Sequence, residues 1–143
     1  MNILIVNGPN LNLLGIREPE IYGRKTYQNL IDYITDYCTY HNINIKIYQS
    51  NFEGKIIDII QENYDRFDGL IINPAAYTHY SYAIYDCLKS ISIPTIEVHL
   101  SNIEDRESFR KISVIKSACI AQNYGKGFDS YIDAIKLLQK RIK

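Results

Sequence analysis

The sequence predicts an α/β domain: a doubly wound, five-stranded parallel sheet with helices on both faces. Three observations carry that reading. Five short β-like runs recur along the chain. Four apolar stripes at helical spacing alternate with them, and strand–helix alternation of this kind builds parallel sheets. The third and fourth runs are nearly continuously apolar, the mark of strands covered on both faces.

The first run is Ile3–Asn7, and a long connection from Gly8 to Lys25 follows it. Connections in α/β units usually take about two to six residues, so this one reads as a functional lid. Tyr27, Leu30, Ile31, Ile34 and Cys38 then mark the first helix. Ile43–Gln49 is the second run. Ser50-x-x-Glu53 after it reads as a capping box opening a helix whose stripe is Ile56, Ile57, Ile60 and Tyr64. The third run, Gly69–Asn73, contains Leu70-Ile71-Ile72, and the stripe Ala83, Ile84, Cys87, Leu88 and Ile91 follows. The fourth, Pro94–His99, contains Thr95-Ile96-Glu97-Val98. Ser101-x-x-Glu104 then predicts a further helix, with Arg106 and Arg110 on one face of it. Ala118–Gln122 is the fifth run, and Tyr131, Ile132, Ile135 and Leu138 close the chain. Right-handed crossovers leave few topologies, of which the flavodoxin-like order is the expectation. Residues 1–143 read as one domain, with no internal repeat, low-complexity tract or linker.

Composition narrows the class. The chain has 143 residues and a formal net charge of zero. Area scaling gives a folded surface of roughly 7,600 Å², enough burial for a core without disulfides or metals. A protein that lives on phosphate backbones usually carries a basic excess, so nucleic-acid binding is excluded as an expectation. The three cysteines (Cys38, Cys87, Cys119) are odd in number, far apart and set in apolar runs. They read as buried thiols in a reducing compartment. No apolar run reaches the length of a membrane span. The chain opens directly on Asn2-Ile3-Leu4-Ile5-Val6, which reads as a cytoplasmic start.

Ligands of parallel α/β sheets bind at the carboxyl ends of the strands. The first strand delivers Asn7-Gly8-Pro9-Asn10 there, the third Asn73 to His79, and the fourth Glu97, His99, Leu100 and Ser101. His79 and His99 thus share one edge, while His41 falls at a helix end and reads as solvated. No Gly-x-Ser-x-Gly elbow, Walker loop or Gly-x-Gly-x-x-Gly follows the first strand. Gly125-Lys126-Gly127 reads as a turn. The histidines lack metal-ligand spacing, so no metal is expected. A Schiff-base enzyme wants a buried strand lysine, and Lys46 sits among polar-facing positions. What remains is cofactor-free acid–base chemistry on a small polar molecule. Tyrosine acts as a base only when a cation lowers its pKa, and Arg17 lies in the same loop as Tyr22. Arg106 and Arg110 read either as a carboxylate clamp or as a solvated helix face.

These residues also carry a resemblance. Asn7-Gly8-Pro9-Asn10-Leu11-Asn12-x-Leu14-Gly15-x-Arg17-Glu18-Pro19-x-x-Tyr22-Gly23 resembles the opening of the type II 3-dehydroquinate dehydratases. Gln49-Ser50-Asn51-x-Glu53-Gly54, Asn73-Pro74-Ala75-Ala76-Tyr77-Thr78-His79-x-Ser81 and Glu97-Val98-His99-Leu100-Ser101-Asn102 continue it in order. Arg106-Glu107-x-Phe109-Arg110 and Gly125-x-Gly127-x-x-x-Tyr131 complete it over nearly the whole chain.

The resemblance implies a hydro-lyase of the shikimate pathway that needs no cofactor. It would eliminate water from 3-dehydroquinate in the anti sense, through an enolate, to give 3-dehydroshikimate. It implies Tyr22 as the base, Arg17 as the lid cation that lowers its pKa, and His99 as the acid for the departing hydroxyl. Asn10 would hold a water against the enolate oxygen. Asn73, His79, Leu100, Ser101 and Arg110 match substrate-binding positions. Asp86 matches a position that reaches a neighbouring subunit's site, in a homododecamer of four trimers. Ala75 and Ala76 stand where glycines are common, Tyr85 where arginine is common, and Asn123 where an apolar residue is common. The alternatives are a flavodoxin-like module binding a nucleotide or flavin, and a silent assembly protein. The second would be expected to have lost Arg17, Tyr22 or His99.

Overall fold

The structure, a computed structural model, describes residues 1–142. In chain order it runs β1 (Asn2–Asn7), a short α1 (Pro19–Tyr22), α2 (Tyr27–Tyr40), β2 (Asn44–Gln49), α3 (Glu53–Asn63), β3 (Gly69–Asn73), α4 (Tyr82–Ser90), β4 (Thr95–His99), β5 (Ala121–Tyr124) and α5 (Asp129–Ile142). Five strands pair in the order β2-β1-β3-β4-β5, every ladder parallel. This is the flavodoxin-like arrangement that the sequence predicts.

Alternation along the strands divides the core in two. Ile3, Ile5, Ile71 and Ile96 face α2 and α5, meeting Leu30, Ile34, Ile135 and Leu138. Leu4, Val6, Leu70 and Ile72 face α3 and α4, meeting Ile56, Ile60, Ile84 and Leu88. Each such side chain contributes about 1.5–3 kcal/mol on full burial. β3 and β4 are buried at every position, which is why their sequences are nearly unbroken apolar runs. The edge strand β2 exposes Asn44 and Lys46. A charged side chain there also guards the edge against pairing with another chain. Gly69 lets α5 approach, because a Cβ on it would lie 3.0 Å from both methyls of Leu138.

Three local expectations are corrected. β5 begins at Ala121 rather than Ala118 and runs on to Tyr124. Residues 116–118 form a 3-10 turn that lays Ala118 and Cys119 against the core, so apolar character there marks packing, not pairing. Neither capping box forms. At α3 the N-cap is Phe52; Ser50 Oγ accepts from the Phe52 N–H at 3.0 Å, and Glu53 accepts from Ser81 Oγ at 2.5 Å. After β4, Asn102 takes the turn for itself by accepting from the Glu104 N–H at 3.0 Å. An asparagine that bonds the backbone two residues on favours a turn over a helix. The segment therefore holds two isolated 3-10 turns, Ile103–Asp105 and Ser108–Arg110, and Arg106 and Arg110 do not share a helix face.

The connection from Gly8 to Lys25 has two physical halves. Leu11 and Leu14 are buried in the core, and Gly8 is pressed so close to Pro74 that a Cβ would sit 2.6 Å from its carbonyl oxygen. Beyond Gly15 the chain lifts away, with Ile16 exposed, and ends in the single turn of α1.

Candidate active site

A cleft opens at the carboxyl edge of the sheet, between the connections that follow β1, β3 and β4. Asn10, Arg17 and Tyr22 line it from the first connection. Asn73 and His79 line it from the third strand, and His99, Leu100, Ser101 and Arg110 from the fourth. Nine of the ten singled-out positions therefore meet in one place. Asp86 does not: it stands on the exposed side of α4, outside the lining of this cleft.

The lid supplies one wall. α1 starts with Pro19 at its first position, which suits the fixed φ of proline. Its last residue, Tyr22, turns its hydroxyl toward Arg106, whose Nη1 donates to it at 2.9 Å. The same Nη1 donates to Ser101 Oγ at 3.2 Å, so one guanidinium ties the lid to the connection after β4. Arg17 lies over the Tyr22 ring, 4.9 Å from its centroid. Burial pushes the phenol up. The hydrogen bond from Arg106 and the nearby charge of Arg17 outweigh it and bring the pKa below the ordinary value. Tyr22 is the one tyrosine whose pKa is brought below its ordinary value among the described residues; the resolved shifts of the others are upward.

The sheet supplies the opposite wall. His99 ends β4, and its Nε2 lies 2.7 Å from Glu97 Oε1. Glu97 is fully buried in the same strand. Its carboxylate also accepts from Ser113 Oγ at 2.8 Å, Gln122 Nε2 at 3.1 Å and the Thr78 hydroxyl. Burial pushes this carboxyl up, but the bond to His99 and those from Thr78 and Ser113 bring it below the ordinary range. Glu97 is thus an anion, the Nε2–H of His99 donates to it, and Nδ1 is left for the cleft.

His79 is held differently. Its Nδ1 lies 2.7 Å from the Ile112 carbonyl, which can only accept, so Nδ1 carries the proton and Nε2 is an acceptor. Burial lowers its pKa and favours this neutral form. Asn10 adopts a left-handed backbone, φ 68°, and its N–H donates to Asn51 Oδ1 at 3.0 Å. Gln49 Nε2 bonds the Gly8 carbonyl at 3.1 Å and steadies the same turn. Arg110 Nε lies 2.8 Å from Glu107, out of line for a hydrogen bond.

The roles of two residues here escape sequence reasoning. Arg106 reaches Tyr22 across 84 positions, and no local pattern announces it. Glu97 had a signal: a carboxylate inside an apolar, fully covered strand must have partners to justify its burial. Lys46 stays exposed on the edge strand, away from the cleft. Burial pushes the Cys38 thiol up to about 11 and the Cys119 thiol to about 12, so neither is a nucleophile at neutral pH. Among the described residues, no three His, Cys, Asp or Glu side chains cluster as metal ligands.

A tyrosine kept ionisable by arginines, facing an imidazole backed by a carboxylate, defines a class: a flavodoxin-like α/β protein with an acid–base site. The family model for dehydroquinase class II matches residues 1–139, and the chain belongs to that family. It is similar to the 3-dehydroquinate dehydratase of Clostridium acetobutylicum, 52% identical over 99% of each chain. That of Caldicellulosiruptor saccharolyticus is 55% identical over 96% of each. Among solved structures, the type II dehydroquinase from Butyrivibrio crossotus superposes with a TM-score of 0.95 at 55% identity, over 97% of each chain. The type II dehydroquinase from Propionibacterium acnes gives 0.92 at 38% identity, covering 96% of this chain and 94% of its own.

Proposed function

We infer that this chain is a type II 3-dehydroquinate dehydratase, a hydro-lyase that converts 3-dehydroquinate to 3-dehydroshikimate in the shikimate pathway. The observation that carries the reading is the Tyr22 hydroxyl, bonded by Arg106 beside Arg17 in a cleft shared with His99.

In this mechanism Tyr22, as tyrosinate, removes a proton from the carbon next to the ketone. The C–H electron pair moves to the carbonyl oxygen and an enolate forms. Such chemistry needs the oxyanion stabilised, and a water held by Asn10 serves that role. The enolate then collapses, and the carbon–oxygen bond of the β-hydroxyl breaks. Hydroxide leaves poorly, so His99, carrying protons on both ring nitrogens at that stage, delivers its Nδ1 proton to it and water departs. Glu97 is a positioning residue here: it fixes the ring of His99 through Nε2. His79 offers Nε2 as an acceptor for a substrate hydroxyl. Asn73 offers its carboxamide, and Leu100, Ser101 and Arg110 take the substrate carboxylate. The carboxylate subsite rests on main-chain N–H groups and Arg110, since no helix begins at Ser101. The lid, closed through Arg106, excludes water and keeps the tyrosinate effective.

The assembly in this reading is a homododecamer of four trimers, in which Asp86 completes a neighbour's cleft. Its exposed place on α4, away from its own cleft, supports that role. Sedimentation velocity distinguishes a dodecamer from a monomer or trimer. Among the described residues no helix is long and apolar enough to cross a membrane, and the reading places the enzyme in the cytoplasm.

The test of function is ultraviolet detection of the conjugated enone formed from 3-dehydroquinate, with EDTA present and again after borohydride treatment. Activity that survives both is expected of a site without metal or Schiff base. A folded, assembled sample with no activity would refute the assignment.

A further inference from the structure

Behind the cleft floor lies a polar chain of which the mechanism above uses only the cleft-side member, Asn73. Tyr131 on α5 is fully buried, as is Asn7 at the end of β1, and Asn73 at the end of β3 is nearly so. The direction of every bond in this chain follows from one backbone group. The Ala75 N–H can only donate, so the Asn73 atom 3.1 Å from it is Oδ1. The Asn73 Nδ2 must then face the other way, and it donates to the Tyr131 hydroxyl oxygen at 2.9 Å. That oxygen has its acceptor capacity engaged, so its own proton goes to Asn7 Oδ1 at 2.6 Å. Asn7 Nδ2 is left to donate to the Tyr27 hydroxyl at 3.3 Å.

The cleft end of this chain is strained. Ala75 holds φ at 52°, in the left-handed region that a Cβ disfavours. Ala75 and Asn73 both line the cleft. The bond from the Ala75 N–H to Asn73 Oδ1 holds that turn, and the bond to Tyr131 keeps the Asn73 carboxamide facing the way that makes it possible. Strain at a site persists only where the surroundings over-determine it.

We propose that Tyr131 is a positioning residue for substrate recognition, whose buried hydroxyl sets the facing of the Asn73 carboxamide and through it the Ala75 turn. The inference rests on the proposed dehydratase function for its substrate. Tyr131 touches no substrate. With its hydroxyl in place, Asn73 presents its remaining N–H and lone pair to the cleft in one orientation. Without it, the carboxamide has no buried acceptor, and the Ala75 turn has no fixed partner against its strain.

Two readouts on the full chain test this. Tyr131→Phe removes one oxygen and leaves the ring in its packing. It is expected to raise KM for 3-dehydroquinate about tenfold while kcat stays within about threefold, the pattern of lost binding rather than lost chemistry. Adding Ala75→Gly relieves the left-handed penalty and is expected to bring KM back toward wild type, while Tm stays lowered. A merely structural tyrosine would lower Tm and leave KM alone. In a substrate-free readout, hydrogen exchange of the peptide over residues 73–79 speeds up by about tenfold in Tyr131→Phe, as expected when a local opening is made easier. If Tyr131→Phe is not recovered folded, Asn7→Ala removes the acceptor of the same hydroxyl and is expected to raise KM likewise. Folded Tyr131→Phe (or, failing it, Asn7→Ala) with wild-type KM and unchanged exchange overturns the proposal, and so does a raised KM that Ala75→Gly leaves in place. Wild-type protein with no turnover of 3-dehydroquinate refutes the dehydratase reading instead, and the exchange experiment still decides the role of Tyr131.

Discussion

His99 and Tyr22 face the same cleft, yet the molecule holds them by opposite means. His99 ends a fully covered central strand, and its Nε2 is paired with Glu97, which three further side chains also bond. Tyr22 ends a four-residue helix on a raised connection, and its hydroxyl is held by one arginine from a separate loop. The sheet wall is built with the fold, its imidazole and carboxylate fixed by bonds between buried or half-buried groups. The lid wall acquires its chemistry only when Tyr22, Arg17 and Arg106 come together, because burial alone would push the phenol the wrong way. Lid position and base strength are therefore one variable.

The most damaging break in this comparison is Tyr22→Phe, expected to lower kcat by about 10²–10⁴-fold, the usual worth of a general base. Substrate binding, read by isothermal calorimetry, should survive. Turnover above a few per cent of wild type contradicts the base assignment. His99→Ala is next, at about 10²–10³-fold in overall dehydration. Solvent exchange of the α-proton should persist in that variant, since the Tyr22 half of the reaction is intact. If exchange vanishes with turnover, His99 does more than protonate the leaving group.

Arg106→Ala and Arg17→Ala each remove one cation from beside Tyr22. We expect kcat to fall about tenfold to a hundredfold, with the pH limb that belongs to the base moving upward. The sign follows from the phenol: with one cation gone, less opposes the effect of burial and the pKa rises. An unmoved limb would remove that arginine from the role.

Glu97→Gln sharpens the other wall and costs less, about tenfold in kcat, through a loosened His99 ring. It also has a stability signature. Because the folded-state pKa of Glu97 is depressed, its contribution is present above the ordinary carboxylate value and is lost as pH falls through the lowered one. Thermal unfolding of wild type should therefore weaken in acid more than that of Glu97→Gln. Equal acid sensitivity would mean that Glu97 is not held as an anion. Lys46→Ala should change kcat by less than about twofold, as befits an exposed edge residue; a large loss would reopen Schiff-base chemistry.

Periodicity made the sheet legible before any coordinates. Isoleucines alternate along β1 and recur at helical spacing on α2 and α5 because burial on a layer demands it. The boundary of β5 was not legible. The run read as Ala118–Gln122 stops short of Asn123 and Tyr124, which are polar in sequence yet pair with Val98 and His99 of β4. The helix expected after Ser101 failed for a local reason, the competing turn that Asn102 makes. Within the cleft, residues in long contiguous motifs could be placed. Arg106 could be noticed but given no partner, since its bond to Tyr22 spans most of the chain. Tyr131 read as one more core position at helical spacing. Nothing in a linear pattern separates a tyrosine buried for its ring from one buried for its hydroxyl.

The central claim is that the lid arginines make Tyr22 ionise within the working pH range. Ultraviolet difference titration of wild type against Tyr22→Phe isolates the ionisation of that one phenol, and the pH dependence of kcat/KM is measured on the same preparation. The account predicts an ionisation below the ordinary value of about 10, coincident with the rise in kcat/KM and displaced upward in Arg106→Ala. A Tyr22 that titrates at or above the ordinary value, while kcat/KM has already reached its plateau, would contradict it.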